Sequence, residues 1–284
     1  MIEYEFDEKI KKCIICNSDD IKDYLKDFRG INISRCGLCG FQFMNPQYTD
    51  NYLTEYYSQY TNDENFDYWN NALLYGHNFY LSLIEKHVKP GKILDIGCGN
   101  GHLLEAAMQR GWVAHGYDVD KVSTQKVGNR LGISTEYGNF FSMRADQKYD
   151  LITMHQVLEH LKDPNKYLER IHSVLNDDGC LFVAVPNIDS FSSRLKRFME
   201  KIGMRKRNIG KYYDTNHHVL YFNTKTLKRL LESHGFRIVY QRNCHSTKPG
   251  QSRLKRFIMR NITDHLFSKS AFLVIAKKCR TTHE

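Results

Sequence analysis

No apolar run in this 284-residue sequence approaches the roughly 20 residues that a bilayer-crossing helix needs. The start, MIEYEFDEKIKK, mixes acids and lysines and lacks the apolar stretch of an export signal. Both absences argue against a membrane-spanning or exported chain, and the expected location is the cytoplasm. Internal repeats are missing too, which removes solenoid architectures. Acidic residues are the scarcer charge: 32 Asp and Glu against 41 Lys and Arg leave a formal charge of +9. Such a surplus points to anionic partners, whether nucleic acid, phosphorylated small molecules or a membrane surface.

Four of the eight cysteines (Cys98, Cys180, Cys244 and Cys279) are scattered, and the other four form two C-x2-C pairs. That usage suits a reducing compartment and a metal site better than a disulfide framework. Cys13 and Cys16 make one knuckle and Cys36 and Cys39 the other, 19 residues apart (36 − 16 − 1). The spacing fits a zinc ribbon, in which four thiolates close a tetrahedron and leave no open coordination position. A redox pair of C-x2-C motifs and an iron site are the alternatives.

With 41% hydrophobic and 26% charged residues, the chain can bury a full core. Three segments are expected: a zinc-binding module over 1–45, a helical connector or lid over 46–90, and an α/β domain over 91–284. In the connector, Phe66, Trp69, Leu73, Leu74, Phe79, Tyr80, Leu83 and Ile84 recur at helical spacing, as in a helix laid across the next domain. From Lys92 the runs KILDIG, VAHGYD, ISTEYG, YDLITM and CLFVAVPN read as strands separated by helical stretches. This alternation predicts right-handed crossovers and a doubly wound, mostly parallel sheet. FRIVYQRN and SAFLVIAKK, with no ordinary crossover helix between them, suggest a closing antiparallel pair.

The run Ile93 to Gly101, ILDIGCGNG, is a buried strand that breaks into a glycine turn before a helix near His102. Glycines there permit positive φ and let backbone amides approach a ligand. Asp95 ends that strand. A second strand ends at Asp118, where an acid can accept both ribose hydroxyls of a nucleotide-like cofactor. A glycine turn alone is equally consistent with dinucleotide binding.

The motif train as a whole, ILDIGCGNG, GYDVD at 116–120, GNF at 138–140, YDLITMHQVLEHLKDP at 149–164, LNDDGCLFVAVPN at 175–187 and HHVLYFNTKTLKRLLESHGF at 217–236, resembles the class I S-adenosylmethionine-dependent methyltransferases. The resemblance covers about residue 75 onward. It implies a seven-stranded Rossmann-like sheet in the order 3-2-1-4-5-7-6 with the last strand antiparallel, and S-adenosylmethionine as cofactor. By the same resemblance Asp95 orients the loop and the methionine ammonium, while Gly97, Gly99, Asn100 and Gly101 turn beneath the cofactor. Asp118 holds the ribose, Val119 packs on adenine, and Asn139 and Phe140 stand where relatives contact the adenine amino group. His155 completes the expected cofactor set. CGLCGFQFMNPQY looks like methyltransferases that carry such a ribbon and act in sugar or cell-surface glycan pathways.

Methyl transfer to a hydroxyl requires alignment and removal of a proton. His160, after the fourth strand of this sheet, and His217 and His218, before a helix starting at Asn223 or Thr224, are the candidate bases; core or surface histidines are the alternative. Gln156, Glu159 and His160 share i, i+3, i+4 spacing, as on one helical turn. In some similar methyltransferases a Glu replaces Gln156 and the group binds a divalent metal, so here the set either assists chemistry or caps the helix. No [DN]PP[FY] motif follows the fourth strand, which argues against amino methylation and leaves O-methylation.

Basic insertions are expected at about 190–215 and 245–265. Phe191, Leu195, Phe198, Met199 and Ile202 alternate with Arg and Lys as in a cationic amphipathic helix, and Leu254, Phe257 and Ile258 suggest a second. Either the insertions grip an anionic acceptor or their apolar stripes pack on the domain. The leading expectation is therefore an O-methyltransferase for a small or glycan-like anionic acceptor, with peripheral membrane contact open. An RNA methyltransferase and a non-catalytic cofactor-binding scaffold are the competing readings.

Overall fold

The computed structural model describes residues 4–27, 29–60, 76–143, 147–204, 213–244 and 270–279. Phe66, Trp69, Leu73 and Leu74 of the connector, Leu254, Phe257 and Ile258, the whole 245–265 insertion and residues 205–212 lie outside the described residues. Among the described residues, no helix is long and apolar enough to cross a membrane.

Seven strands form the central sheet: β4 (Lys92–Ile96), β5 (Val113–Asp118), β6 (Ser134–Tyr137), β7 (Tyr149–His155), β8 (Leu175–Pro186), β10 (Phe236–Cys244) and β11 (Ala271–Lys278). Their spatial order is β10-β11-β8-β7-β4-β5-β6. β4 pairs in parallel with β5 and β7, β5 with β6, and β7 with β8, whereas β11 runs antiparallel to both β8 and β10. Counted from β4, this is the expected 3-2-1-4-5-7-6 order with its closing antiparallel strand. The central strands are built around apolar runs: Ile93, Leu94, Leu151, Ile152, Leu181, Phe182 and Val183 have no exposed surface. Both faces of such a sheet must be covered.

Local signals set the helix ends. In α4 (Lys121–Leu131) the Asp120 carboxylate accepts from the Ser123 amide at 2.6 Å, and Gly132 ends the helix at φ 66°. Pro164 opens α5 (Pro164–Val174) behind an Asp163 cap, and α7 (Thr224–Ser233) begins with a reciprocal capping box between Asn223 and Thr226. The connector supplies α1 (Asp50–Tyr60) and a helix α2 over residues 76–84, in which Leu81, Leu83 and Ile84 are buried. A short helix α3 (His102–Met108) leaves the glycine turn, and α6 (Phe191–Lys201) follows β8.

The N-terminal segment builds a second, antiparallel sheet from β1 (Ile21–Lys26), β2 (Asn32–Cys36) and β3 (Gln42–Met44). Its fourth strand comes from the far end of the chain: β9 (Leu220–Tyr221) pairs with Gln42 and Phe43. One continuous hydrophobic cluster runs from Cys13, Phe41 and Phe43 through Leu220 and Phe222 to Ile152 and Val183. Polar contacts reinforce the seat: Asn165 donates to the Ile14 carbonyl at 2.8 Å, and Lys162 reaches Asp7 and Asp50 at 2.6 and 2.7 Å. In space, the cysteine segment and the α/β domain share a core.

Candidate active site

The four cysteines of the N-terminal sheet converge. Cys13 Sγ lies 3.5 Å from Cys39 Sγ, Cys16 Sγ lies 3.6 Å from Cys36 Sγ, and all four sulfurs are within 4.8 Å of one another. Positive φ at Asn17 and Gly40 closes the knuckles, whose amides turn back through bonds such as Asn17 N–H to Cys13 O and Gly40 N–H to Cys36 O. A tetrahedron of sulfurs about 2.3 Å from zinc has edges of about 3.8 Å, so the donor set fits that ion; disulfide sulfurs would lie near 2.05 Å. Burial pushes the Cys36 thiol up, but amides of Cys39 and Leu38 and the Cys16 sulfur more than offset this and bring it down to about 7. Burial pushes Cys39 up to about 11.

At the carboxyl edge of the central sheet, β4 ends at Ile96 and the chain turns through Gly97, Gly99 and Gly101 at φ 73°, 47° and 73°. Two constraints make glycine necessary. A Cβ on Gly97 would strike Val157 Cγ2 at 2.4 Å, and one on Gly101 would meet Val127 Cγ1 at 2.6 Å. Gly99 differs: among the described residues nothing lies within 4 Å of its missing Cβ, so the turn opens onto a cradle. Asp118 stands beside it, its Oδ2 accepting the Gly99 amide at 2.9 Å and its Oδ1 the Asp120 amide at 3.1 Å. Burial raises the Asp118 carboxyl above the usual range, opposed by those two amides. Val119 is exposed next to it, and the Asn100 carbonyl accepts from Arg130 Nη2 at 2.7 Å. Glycine cradle, ribose-reaching acid and exposed apolar side chain together fit a nucleoside cofactor.

Asp95 is buried at the end of β4 and accepts the Thr153 hydroxyl at 2.6 Å; desolvation pushes its carboxyl up to about 7. His155 closes β7 with its ring 5.4 Å from those of His77 and Tyr80, and burial pushes it down to about 4. Asn139 caps a short turn, its Oδ1 accepting the Phe141 amide at 2.9 Å. Phe140 is packed inside against Tyr117 and Tyr167, whereas Phe141 beside it is exposed.

The structure brings the three candidate bases together. Ring centroids of His160 and His217 lie 5.0 Å apart and stacked, with His218 edge-on at 4.7 and 4.6 Å. Tyr57 Oη shares a hydrogen bond with His160 Nδ1 at 2.7 Å, and Tyr56 Oη one with His217 Nδ1 at 3.1 Å. The cluster adjoins the cofactor turn. Val157, which the Gly97 turn cannot approach with a side chain, accepts the His160 amide at 2.9 Å. Burial pushes all three imidazoles down, His218 to about 3, so each is neutral near pH 7; at His217 the Asp214 carboxylate, 4.0 Å from Nε2, opposes the shift.

The expected single helical turn from Gln156 to His160 is replaced by a bend. Gln156 adopts φ 58° and directs its amide to the Ala184 carbonyl, and only Leu158–His160 forms a 3-10 turn. Glu159 is 1% exposed, neither carboxyl oxygen has a hydrogen-bond partner among the described residues, and burial pushes it up to about 8. Thr153, Tyr56, Tyr57, Asp214 and His77 were not foreseen from the sequence. The two tyrosines carried a signal only as part of an aromatic connector.

A glycine turn after the first strand, an acid ending the second and a 3-2-1-4-5-7-6 sheet define the class of S-adenosylmethionine-dependent methyltransferases. The family described as "Methyltransferase domain" matches residues 70–241, and the chain belongs to it. Among curated relatives, a ubiquinone biosynthesis O-methyltransferase of Haemophilus ducreyi is 30% identical over 107 residues, 34% of this chain and 45% of that protein. One of the same name from Coxiella burnetii is 29% identical over 115 residues, 38% of this chain and 49% of that protein. The chain thus spans less than half the length of these relatives. A SAM-dependent methyltransferase of Archaeoglobus fulgidus superposes with TM-score 0.52 at 19% identity, over 76% of this chain and 100% of that one. Another from Methanosarcina mazei gives 0.50 at 18%, over 69% and 97%. At these identities the likeness concerns the fold.

Proposed function

We propose that the protein transfers a methyl group from S-adenosylmethionine to a hydroxyl of a small, anionic, glycan-like acceptor. The observation that carries this reading is the convergence of His160, His217 and His218 one short turn from the glycine cradle. Bound in the cradle, S-adenosylmethionine would supply an electrophilic methyl carbon. Asp118 would accept the ribose hydroxyls and Asp95 would face the methionine ammonium, which restores the charge that burial disfavours. The acceptor's hydroxyl proton would pass to the histidine cluster as its oxygen bonds to the methyl carbon and the carbon–sulfur bond breaks, the demethylated cofactor leaving as a neutral thioether. His217 is the member whose basicity is best sustained, because Asp214 faces its Nε2. The net positive charge supports an anionic acceptor, and the names of the curated relatives support oxygen as the acceptor atom.

Cys13, Cys16, Cys36 and Cys39 are assigned to one structural zinc in this reading, and a thiolate site of that kind suits the cytoplasm. A second reading has one specific support: the three histidines offer nitrogens within 4.8 Å of one another, a donor set for a divalent cation that would acidify the acceptor hydroxyl instead. Metal analysis of purified protein with candidate hydroxylated acceptors decides between them. One equivalent and chelator-resistant turnover support the base. A second equivalent lost in His218→Ala supports the cation, and methylation only of nitrogen or carbon acceptors would overturn both.

A further inference from the structure

Helix α6 is turned inside out. A surface helix of a globular domain normally lays its apolar stripe on the core and its charges in water. In α6 no residue is buried, and the apolar stripe faces solvent: Leu195, Phe198 and Ile202 are 46%, 57% and 50% exposed, and Met204 just beyond the helix is 70% exposed. Phe191, Leu195, Phe198 and Ile202 follow the i, i+4, i+7, i+11 spacing of a single helical face. The polar side holds the domain instead. Arg197 donates to the Ile188 carbonyl at 2.9 Å and to Asp189 Oδ1 at 3.1 Å, and Asp189 is tied through Asn223 to the start of α7.

Charge identifies what the stripe meets. The helix carries Arg194, Lys196, Arg197 and Lys201 against the single acid Glu200. Arg194 and Lys201, both exposed, lie seven residues apart along one flank of the stripe, since Phe198 is four residues from the first and three from the second. Isolated apolar side chains on a surface are ordinary, but a contiguous stripe bordered by bases is the pattern of a helix that lies in a membrane interface. A second copy of the chain fits less well: a two-fold contact would set this basic flank, on a chain of charge +9, against itself.

We propose that α6 docks the protein on an anionic lipid bilayer, with Leu195, Phe198, Ile202 and Met204 in the acyl boundary and Arg194 and Lys201 at the phosphates. Because α6 follows β8 at the carboxyl edge of the central sheet, this contact brings the edge that carries the glycine cradle and the histidines against the headgroup layer. The inference stands apart from the acceptor assignment, since vesicle binding is read without methyl transfer.

The test is co-flotation of the full-length protein with vesicles of phosphatidylcholine alone and of an equimolar mixture with phosphatidylglycerol, at low and high salt. The protein should float with the anionic vesicles, less so as salt screens the phosphates. Leu195→Glu/Phe198→Glu should lower partitioning at least about tenfold through the lost burial of two large side chains, with S-adenosylmethionine affinity unchanged. Arg194→Gln/Lys201→Gln should abolish the preference for anionic over neutral vesicles. Wild-type protein that stays in the lipid-free fraction, or a Leu195→Glu/Phe198→Glu variant that floats as wild type does, overturns the proposal. So does a dimer of the full chain that this variant converts to monomers, which would give the stripe to a second copy.

Discussion

The Thr215 hydroxyl donates to the Asp27 carboxylate at 2.6 Å, a bond between residues 188 positions apart. Asp27 also accepts the amides of Arg29 and Ile31 at 2.8 and 2.9 Å, and the Arg29 guanidinium bonds both Thr215 and Asn216. Tyr48 donates to the Thr215 carbonyl at 2.7 Å and Tyr213 to Gln42 Oε1 at 2.8 Å. The loop holding His217 and His218 is therefore fastened to the cysteine-bearing sheet as well as to the turn after β7, where the Glu159 carbonyl accepts the Val219 amide at 3.0 Å. Thr215→Val should lower kcat by roughly 10- to 100-fold through misplacement of the histidines, while S-adenosylmethionine affinity measured by calorimetry stays as in wild type. Equal loss of both would mean that the contact serves folding alone.

The same fastening gives the zinc assignment a consequence beyond metal content. Freshly purified protein should hold about one equivalent of zinc, and Cys36→Ser should lower both metal content and Tm. Turnover should fall with the metal while cofactor binding persists, because the glycine cradle sits on the other sheet. Protein purified without chelator and free of zinc would contradict the assignment.

Glu159 supplies a pH test. Its carboxyl moves from an ordinary 4.5 to about 8 on burial. The stability tied to the protonated group is present in full below 4.5 and drains away as pH rises to about 8, since the unfolded chain loses its proton first. Glu159→Gln should remove that decline: the Tm of variant and wild type should differ little at pH 5, and the variant should melt several degrees higher at pH 9. A difference independent of pH would show that the carboxyl is not buried as described.

If a histidine of the cluster is the general base, replacing it by alanine should lower turnover by roughly 10²- to 10⁴-fold with little change in cofactor affinity. His217→Ala should be the most severe of the three, and Asp214→Asn should lower the apparent pKa of the acidic limb, where a base must lose its proton, by weakening the group that opposes desolvation of His217. Full activity in all three alanine variants would mean that alignment suffices for transfer.

Much of this architecture was legible in the residues. The apolar runs around Leu94, Ile152 and Val183 mark buried parallel strands, and the spacing of Gly97, Gly99 and Asp118 marks the cradle, because those features are local. Long-range features were not. β9 has two residues, too short for any periodicity, yet it completes the N-terminal sheet and carries the histidine loop to it. Gln156 to His160 has helical spacing, but a non-glycine residue at φ 58° breaks the turn, and spacing cannot reveal that. The alternation in α6 showed an amphipathic helix without showing which face the domain takes. Arg197 and Asp189 decide that through contacts in space.

The most direct test of the account is calorimetric titration of the protein with S-adenosylmethionine and its demethylated product. The cradle at Gly99 and the carboxylate of Asp118 predict one site per chain for each. Asp118→Ala should weaken binding by roughly 100-fold, since it removes two charge-assisted hydrogen bonds to the ribose. Gly99→Val should weaken it comparably by placing a branched side chain at φ 47°, inside the open cradle. Wild-type affinity in both variants, or no binding by the wild-type protein, would contradict the assignment of this edge as the cofactor site.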